Sequence, residues 1–263
     1  MSPFQAVILA VIEGITEFLP ISSTGHMALA SAWMGIQDDT FTKLYEIVIQ
    51  FGAILSVLVL YWRRFIDLRS WQFYLKLLVA IVPALAFGAL LKDHISALLG
   101  KPLIIASILT LGGVLLLFVD RWFRDPVITG QEGIGYRQAL WIGCYQVLSV
   151  VFPGLSRSAA TIIGGMQQRL TRPVAAEFSF FLAVPTMFAA SAKSLYDVYR
   201  EDPSVLAADN LSTLLLGSVI AFVVALLAIR FFIAYLKVNG FRVFGWYRIV
   251  AGLLMAGVFL AGR

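Results

Sequence analysis

Two carboxyls one helical turn apart, a run of three hydroxyls, a histidine and a distant arginine stand in a chain that is otherwise apolar. Glu13 and Glu17 are spaced i, i+4 and would share one helix face. Ser22, Ser23 and Thr24 follow, then Gly25 and His26. Far downstream, Gly154, Ser156, Arg157, Ser158 and Thr161 form a second polar cluster. Carboxylates this close repel, and a divalent cation, Mg2+ or Ca2+, held by Glu13 and Glu17 with substrate phosphates would relieve them, as would Arg157. Either glutamate is alternatively a general base, or a packed carboxyl bonded to a neighbouring helix. His26 lies three residues from Ser23, close enough for Ser–His proton transfer across a tight turn.

The second cluster reads as a turn followed by a helix start. Gly154 permits unusual backbone angles. Ser156, Ser158 and Thr161 bring hydroxyls to free helix N–H groups, an anion-binding arrangement, and Ser22 and Thr24 supply the same kind of group in the first cluster. Arg157 carries a planar fork suited to phosphate oxygens. The structural alternative makes Arg157 the intramembrane ion-pair partner of Glu13 or Glu17. Together the groups suit phosphoryl transfer, which rests on positioning and charge stabilisation.

The two clusters are one phrase written twice. EGITEFLPISSTGH at 13–26 and QVLSVVFPGLSRS at 146–158 each place a polar residue (Glu13, Gln146) seven positions before a proline (Pro20, Pro153). In each, a serine (Ser23, Ser156) follows three positions later.

The elements that must position these residues are membrane helices. The chain has 263 residues, of which 60% are hydrophobic and 13% charged, whereas a soluble domain has about 25% charged. Apolar runs near 44–62, 74–91, 103–119, 175–192, 211–229 and 246–262 are long enough to span a bilayer. The expected fold is an all-α polytopic membrane protein, with about six transmembrane helices and two re-entrant helical hairpins. Three spans follow each hairpin, so the halves form an inverted-topology repeat, about 1–120 and 136–263, joined by a charged linker at about 121–135. The first apolar run lacks a basic flank and contains Glu13 and Glu17, so it reads as mature protein and not as a signal peptide.

Basic residues divide 13 to one side and 6 to the other; Arg63, Arg64, Arg172, Lys237 and Arg248 belong to the first group. That bias places the first side in the cytoplasm and both termini outside. A polar loop over 197–210 is expected outside. His94 reads as a solvated loop residue. The single Cys144 excludes an internal disulfide, and no basic run with interleaved aromatics points to nucleic acid. The lipid setting suggests a substrate with a phosphate head and an apolar tail. Oligomeric state is left open, a homo-oligomer included.

EGITEFLPISSTGH and PGLSRSAAT at 153–161 resemble the two signature motifs of the undecaprenyl-diphosphate phosphatase, or bacitracin-resistance, family. YEIVIQFGAILSVL at 45–58 and EFSFFLAVP at 177–185 extend the resemblance along the chain. It implies release of the terminal phosphate of undecaprenyl diphosphate in the bacterial plasma membrane, at a site open to the outside and aided by a divalent cation. It also implies recycling of the lipid carrier for peptidoglycan, and bacitracin resistance. Carried over by position, the acidic pair is Glu13 and Glu17, the hydroxyl Ser23, the histidine His26 and the phosphate arginine Arg157. Ala159 departs from the pattern, which often has Gly there. Ser23 is expected as nucleophile with His26 as its proton partner; His26 as nucleophile, or a water activated by Glu17, stays open. The competing reading is a secondary transporter or lipid flippase on the same inverted repeat.

Overall fold

A computed structural model describes residues 1–67, 70–91, 97–98 and 100–261. The expectation for His94 and the basic residues Arg69, Lys92 and Arg263 lie outside them. In chain order the helices are α1 (Pro3–Thr16), α2 (Ser23–Trp33), α3 (Thr40–Leu60), α4 (Trp62–Ile66), α5 (Trp71–Leu90) and α6 (Pro102–Trp122). The second half supplies α7 (Tyr136–Val151), α8 (Arg157–Gln167), α9 (Arg172–Glu201), α10 (Ala208–Val238) and α11 (Arg242–Leu260). Among the described residues the only β pairing is an isolated bridge, Ile128 to Leu170, which docks the linker on the end of α8.

Six of these helices, α3, α5, α6, α9, α10 and α11, are long and apolar enough to cross a membrane. They match the six expected spans. Leu111, Leu215, Leu227, Phe231 and Leu253 are each more than half exposed, as suits a surface facing lipid. The helix starts follow local chemistry. Ser2 caps α1 by accepting from the Gln5 N–H at 3.3 Å while the Gln5 side chain accepts from the Ser2 N–H at 2.7 Å. Asp39 caps α3 through the Thr42 N–H. Pro3 and Pro102 sit in the first turn of α1 and α6, where a missing N–H costs nothing.

One expectation is corrected. The polar stretch 197–210 is mostly helix: α9 runs to Glu201 and α10 begins at Ala208. Lys193 pairs with Asp197 one turn on, which suits an exposed helical face as well as a loop. Only the short segment Asp202–Ala207 turns the chain, with Asp202 accepting from the Ser204 N–H.

α1 and α7 stop short of a full span at 14 and 16 residues. Each is followed by a turn and a short helix, and the two short helices correspond bond for bond. Ser22 (φ 71°) caps α2 by accepting from the Gly25 N–H at 3.3 Å; Ser156 (φ 77°) caps α8 by accepting from the Ala159 N–H at 3.3 Å. At the far ends, Gly35 (φ 69°) and Arg169 (φ 65°) make equivalent turns. There the Ile36 N–H donates to the Ser31 carbonyl and the Leu170 N–H to the Gly165 carbonyl. The packing follows suit: α1 lies on α10, and α7 lies on α5. α3 pairs with α9, and α6 with α11.

Candidate active site

The turns before α2 and α8 meet inside the helix bundle. Glu17, at the end of α1, is the junction. Its Oε2 accepts from the Ser23 hydroxyl at 2.5 Å, and its Oε1 accepts from the Arg157 guanidinium at 3.0 Å. Arg157 also donates to the Ser179 carbonyl at 2.9 Å, which fixes the fork against α9. Its Nε–H is buried and has no partner among the described residues, so the group retains donor capacity. Beside these residues opens a cleft of about 270 Å³. Glu17, Ser22, Ser23, Thr24, Gly154, Ser156 and Arg157 line it, with Gln50 of α3, Ser149 of α7 and Thr186 of α9.

Not every candidate reaches this cleft. The Ser158 hydroxyl donates to the Leu19 carbonyl at 2.8 Å, and Thr161 is engaged by the Arg157 carbonyl at 2.9 Å and the Ser179 hydroxyl at 2.6 Å. Both side chains are fully buried, so their hydroxyls tie the turns and helices together. Ser156 combines both roles: it caps α8, lies 3.0 Å from the Ser158 hydroxyl and lines the cleft.

His26 is turned away from Ser23. Its Nδ1 meets the Ser22 carbonyl at 2.8 Å, so it carries the hydrogen, and its Nε2 lies 2.7 Å from the Tyr247 hydroxyl of α11. The two rings stack with centroids 5.5 Å apart. The group in contact with the Ser23 hydroxyl is Glu17, not the histidine expected from the sequence spacing.

Glu13 is fully buried, and among the described residues neither of its oxygens has a hydrogen-bond partner. A buried carboxylate of that kind calls for a proton or a cation. Glu13 with Glu17 therefore fits a divalent cation in charge and ligand type. Among the described residues no cluster of three or more His, Cys, Asp or Glu stands where it could hold a metal, so phosphate oxygens would have to complete the shell. Gln146, the counterpart of Glu13, is likewise buried, with both amide atoms unpartnered among the described residues.

Sequence reasoning gave no role to Gln50, Ser149 and Thr186, although Gln50 and Ser149 lie inside the motif stretches 45–58 and 146–158; Thr186 sits singly in an apolar helix. Sequence reasoning also misplaced Arg248. Counted with the basic residues of the cytoplasmic side although it falls within the expected 246–262 span, Arg248 is fully buried in α11. A basic residue six positions inside an apolar helix was the available signal.

Fold and cleft define a multi-pass helical membrane protein whose polar site brings an arginine, a carboxylate and a serine hydroxyl together. A family model described as bacitracin resistance protein BacA matches residues 6–254. The chain belongs to that family. Among curated relatives, the undecaprenyl-diphosphatase of Flavobacterium johnsoniae is 54% identical over 256 residues, covering 97% of this chain and 95% of the relative. That of Porphyromonas gingivalis W83 is 45% identical over 278 residues, covering 100% and 98%. The undecaprenyl-diphosphatase of Aquifex aeolicus is 42% identical over 262 residues, covering 99% and 100%.

Proposed function

We propose that this chain is an undecaprenyl-diphosphate phosphatase, hydrolysing undecaprenyl diphosphate to undecaprenyl phosphate and inorganic phosphate. The name shared by near-full-length relatives supports the activity, and so does membership of the bacitracin resistance family. Neither favours the transporter reading. One observation carries the mechanism: a single carboxyl, Glu17, contacts both the Ser23 hydroxyl and the Arg157 guanidinium at the cleft wall.

In this reading the terminal phosphate enters beside Arg157, whose fork turns from Glu17 toward phosphate oxygens. Glu17 takes the Ser23 proton as the Ser23 oxygen bonds to the terminal phosphorus. The bond from that phosphorus to the bridging oxygen breaks, and undecaprenyl phosphate leaves. Water then cleaves the phosphoserine, releasing inorganic phosphate and restoring the hydroxyl. The N–H groups opening α2 and α8 face the developing charge. Ser22, Thr24, Gly154 and Ser156 shape the phosphate end of the cleft. His26, held by the Ser22 carbonyl and Tyr247, takes no step at Ser23 in this reading. Glu13 and Glu17 would hold a divalent cation, which when bound shields the negative charge of the diphosphate.

The two hairpins form halves of an inverted repeat, a reading supported by their matched caps, turns and packing partners. The protein lies in the bacterial plasma membrane with its site facing outward. With Arg248 removed from the count, the basic residues still divide 12 to 6, and the cleft residues Met187 and Ala190 fall in the half of α9 farther from Arg172, with Thr186 at its middle.

Phosphate release from undecaprenyl diphosphate by the purified protein in detergent, with Mg2+ and with chelator, tests the reading. Release by the wild type, lost in Arg157→Ala, is expected. Absence of release under both conditions would overturn it.

A further inference from the structure

We propose that Arg248 is a positioning residue for the reaction: its guanidinium clamps the two active-site turns to each other. The inference rests on the phosphatase reading above. Arg248 is the largest fully buried side chain among the described residues. Its Nη1 donates to the Pro20 carbonyl at 3.1 Å and the Leu155 carbonyl at 2.8 Å. Its Nη2 donates to the Gly154 carbonyl at 3.1 Å, and its Nε to the Leu109 carbonyl of α6 at 3.2 Å. One side chain from α11 thus holds the turn before α2 and the turn before α8 at once, and anchors both to α6.

Three features set this apart from ordinary core filling. First, the arginine makes no ion pair among the described residues, and its four hydrogen-bond acceptors there are all backbone carbonyls. A buried arginine is costly, and an apolar side chain would fill the same volume. What only a planar fork of N–H groups supplies is several directed bonds to carbonyls on separate segments. Second, the clamped residues adjoin the reacting groups. Pro20 is three positions from both Glu17 and Ser23, and Leu155 is two from Arg157. Third, the turns need holding. Ser22, Gly154 and Ser156 all have positive φ, at 71°, 99° and 77°, and such backbone persists where its surroundings over-determine it. Gly112 of α6 leaves the space the guanidinium occupies: a Cβ there would collide with Nη2 of Arg248.

Arg248 does not itself line the cleft and reaches it only through the Gly154 carbonyl, so its loss should move Ser23, Glu17 and Arg157 relative to one another without deleting a reacting group. A misplacement of that scale costs about 100-fold in rate. The test measures kcat and KM for phosphate release from undecaprenyl diphosphate, with the wild type in the same assay. Wild-type inactivity would sink the phosphatase reading itself; wild-type activity leaves the variants to judge the clamp. Arg248→Met is expected to lower kcat by about 100-fold, with KM within about threefold. Arg248→Ala is expected to regain at least about tenfold of its lost kcat when methylguanidinium fills the vacated space, whereas Arg248→Met, its space occupied, is not. Gly112→Ala keeps the arginine and displaces its guanidinium, so its kcat should fall by about tenfold or more even if both arginine variants fail to fold. A monodisperse Arg248→Met or Gly112→Ala protein with wild-type kcat would overturn the proposal. So would a loss confined to KM, or no rescue of a folded Arg248→Ala protein.

Discussion

Ser23 and Arg157 occupy the same place in two different hairpins, and they hold the two oxygens of one carboxyl. Each is the first residue of its helix, directly after a capping serine with positive φ. The Ser23 hydroxyl reaches Oε2 of Glu17 at 2.5 Å, and the Arg157 guanidinium reaches Oε1 at 3.0 Å. One copy of the motif thus offers a hydroxyl where the other offers a cation, and Glu17 joins them.

If Glu17 is the base for Ser23, Glu17→Gln should remove proton acceptance while preserving shape. Phosphate release should fall by about 100- to 10,000-fold in kcat, the usual worth of a general base. Arg157 would also lose its buried counter-charge, which costs about 3 kcal/mol or more when one partner is removed. A lower melting temperature should therefore accompany the kinetic loss. Wild-type kcat in a folded Glu17→Gln protein would exclude the role.

Ser23→Ala separates attack by serine from attack by water. With serine as nucleophile, kcat should drop by at least about 100-fold. Trapping of phosphate on wild-type protein after acid quench, and its absence in Ser23→Ala, checks the covalent step. Substantial turnover by Ser23→Ala would instead favour water activated by Glu17.

The spans, the paired motifs and the family were legible in the sequence because apolar length and a thirteen-residue polar phrase are strong signals. The register of the pairing was not. Aligning the phrases on Pro20 and Pro153 equates Ser23 with Ser156, but the caps equate Ser22 with Ser156. The second turn has two residues, Gly154 and Leu155, where the first has only Ile21, and Gly154 at φ 99° accommodates the extra one. His26 was matched to Ser23 by a three-residue spacing across an expected tight turn, which is blind to a tyrosine 221 positions away that takes the Nε2 bond. Arg248 was counted as a cytoplasmic-side charge because its partners are backbone carbonyls, which leave no complementary side chain to find.

The buried hydroxyl of Thr161 supports packing, not phosphate contact, and Thr161→Val tests that distinction. The substitution keeps the shape and removes bonds to the Arg157 carbonyl and the Ser179 hydroxyl. Stability should fall by about 1–3 kcal/mol, read as a lower melting temperature, with KM for undecaprenyl diphosphate within about threefold of wild type. A tenfold rise in KM without a stability change would return Thr161 to the phosphate site.

Gly154 is where backbone conformation and site geometry meet most tightly. Its φ of 99° is one that L side chains rarely adopt, and a Cβ there would stand 2.6 Å from the Ile105 carbonyl oxygen. Gly154→Ala therefore combines strain of about 1–3 kcal/mol with a collision against α6 backbone that cannot rotate away. The turn should shift, carrying Ser156 and Arg157 with it. Affinity for inorganic phosphate as a competitive inhibitor should fall together with kcat. Gly35→Ala shares the positive φ but has nothing within 4 Å of the added carbon and lies away from the cleft, so it pays strain alone. Both variants should lose stability, and only Gly154→Ala should lose phosphate affinity. Equal kinetic effects from the two would mean that the turn before α8 does not set the position of Arg157.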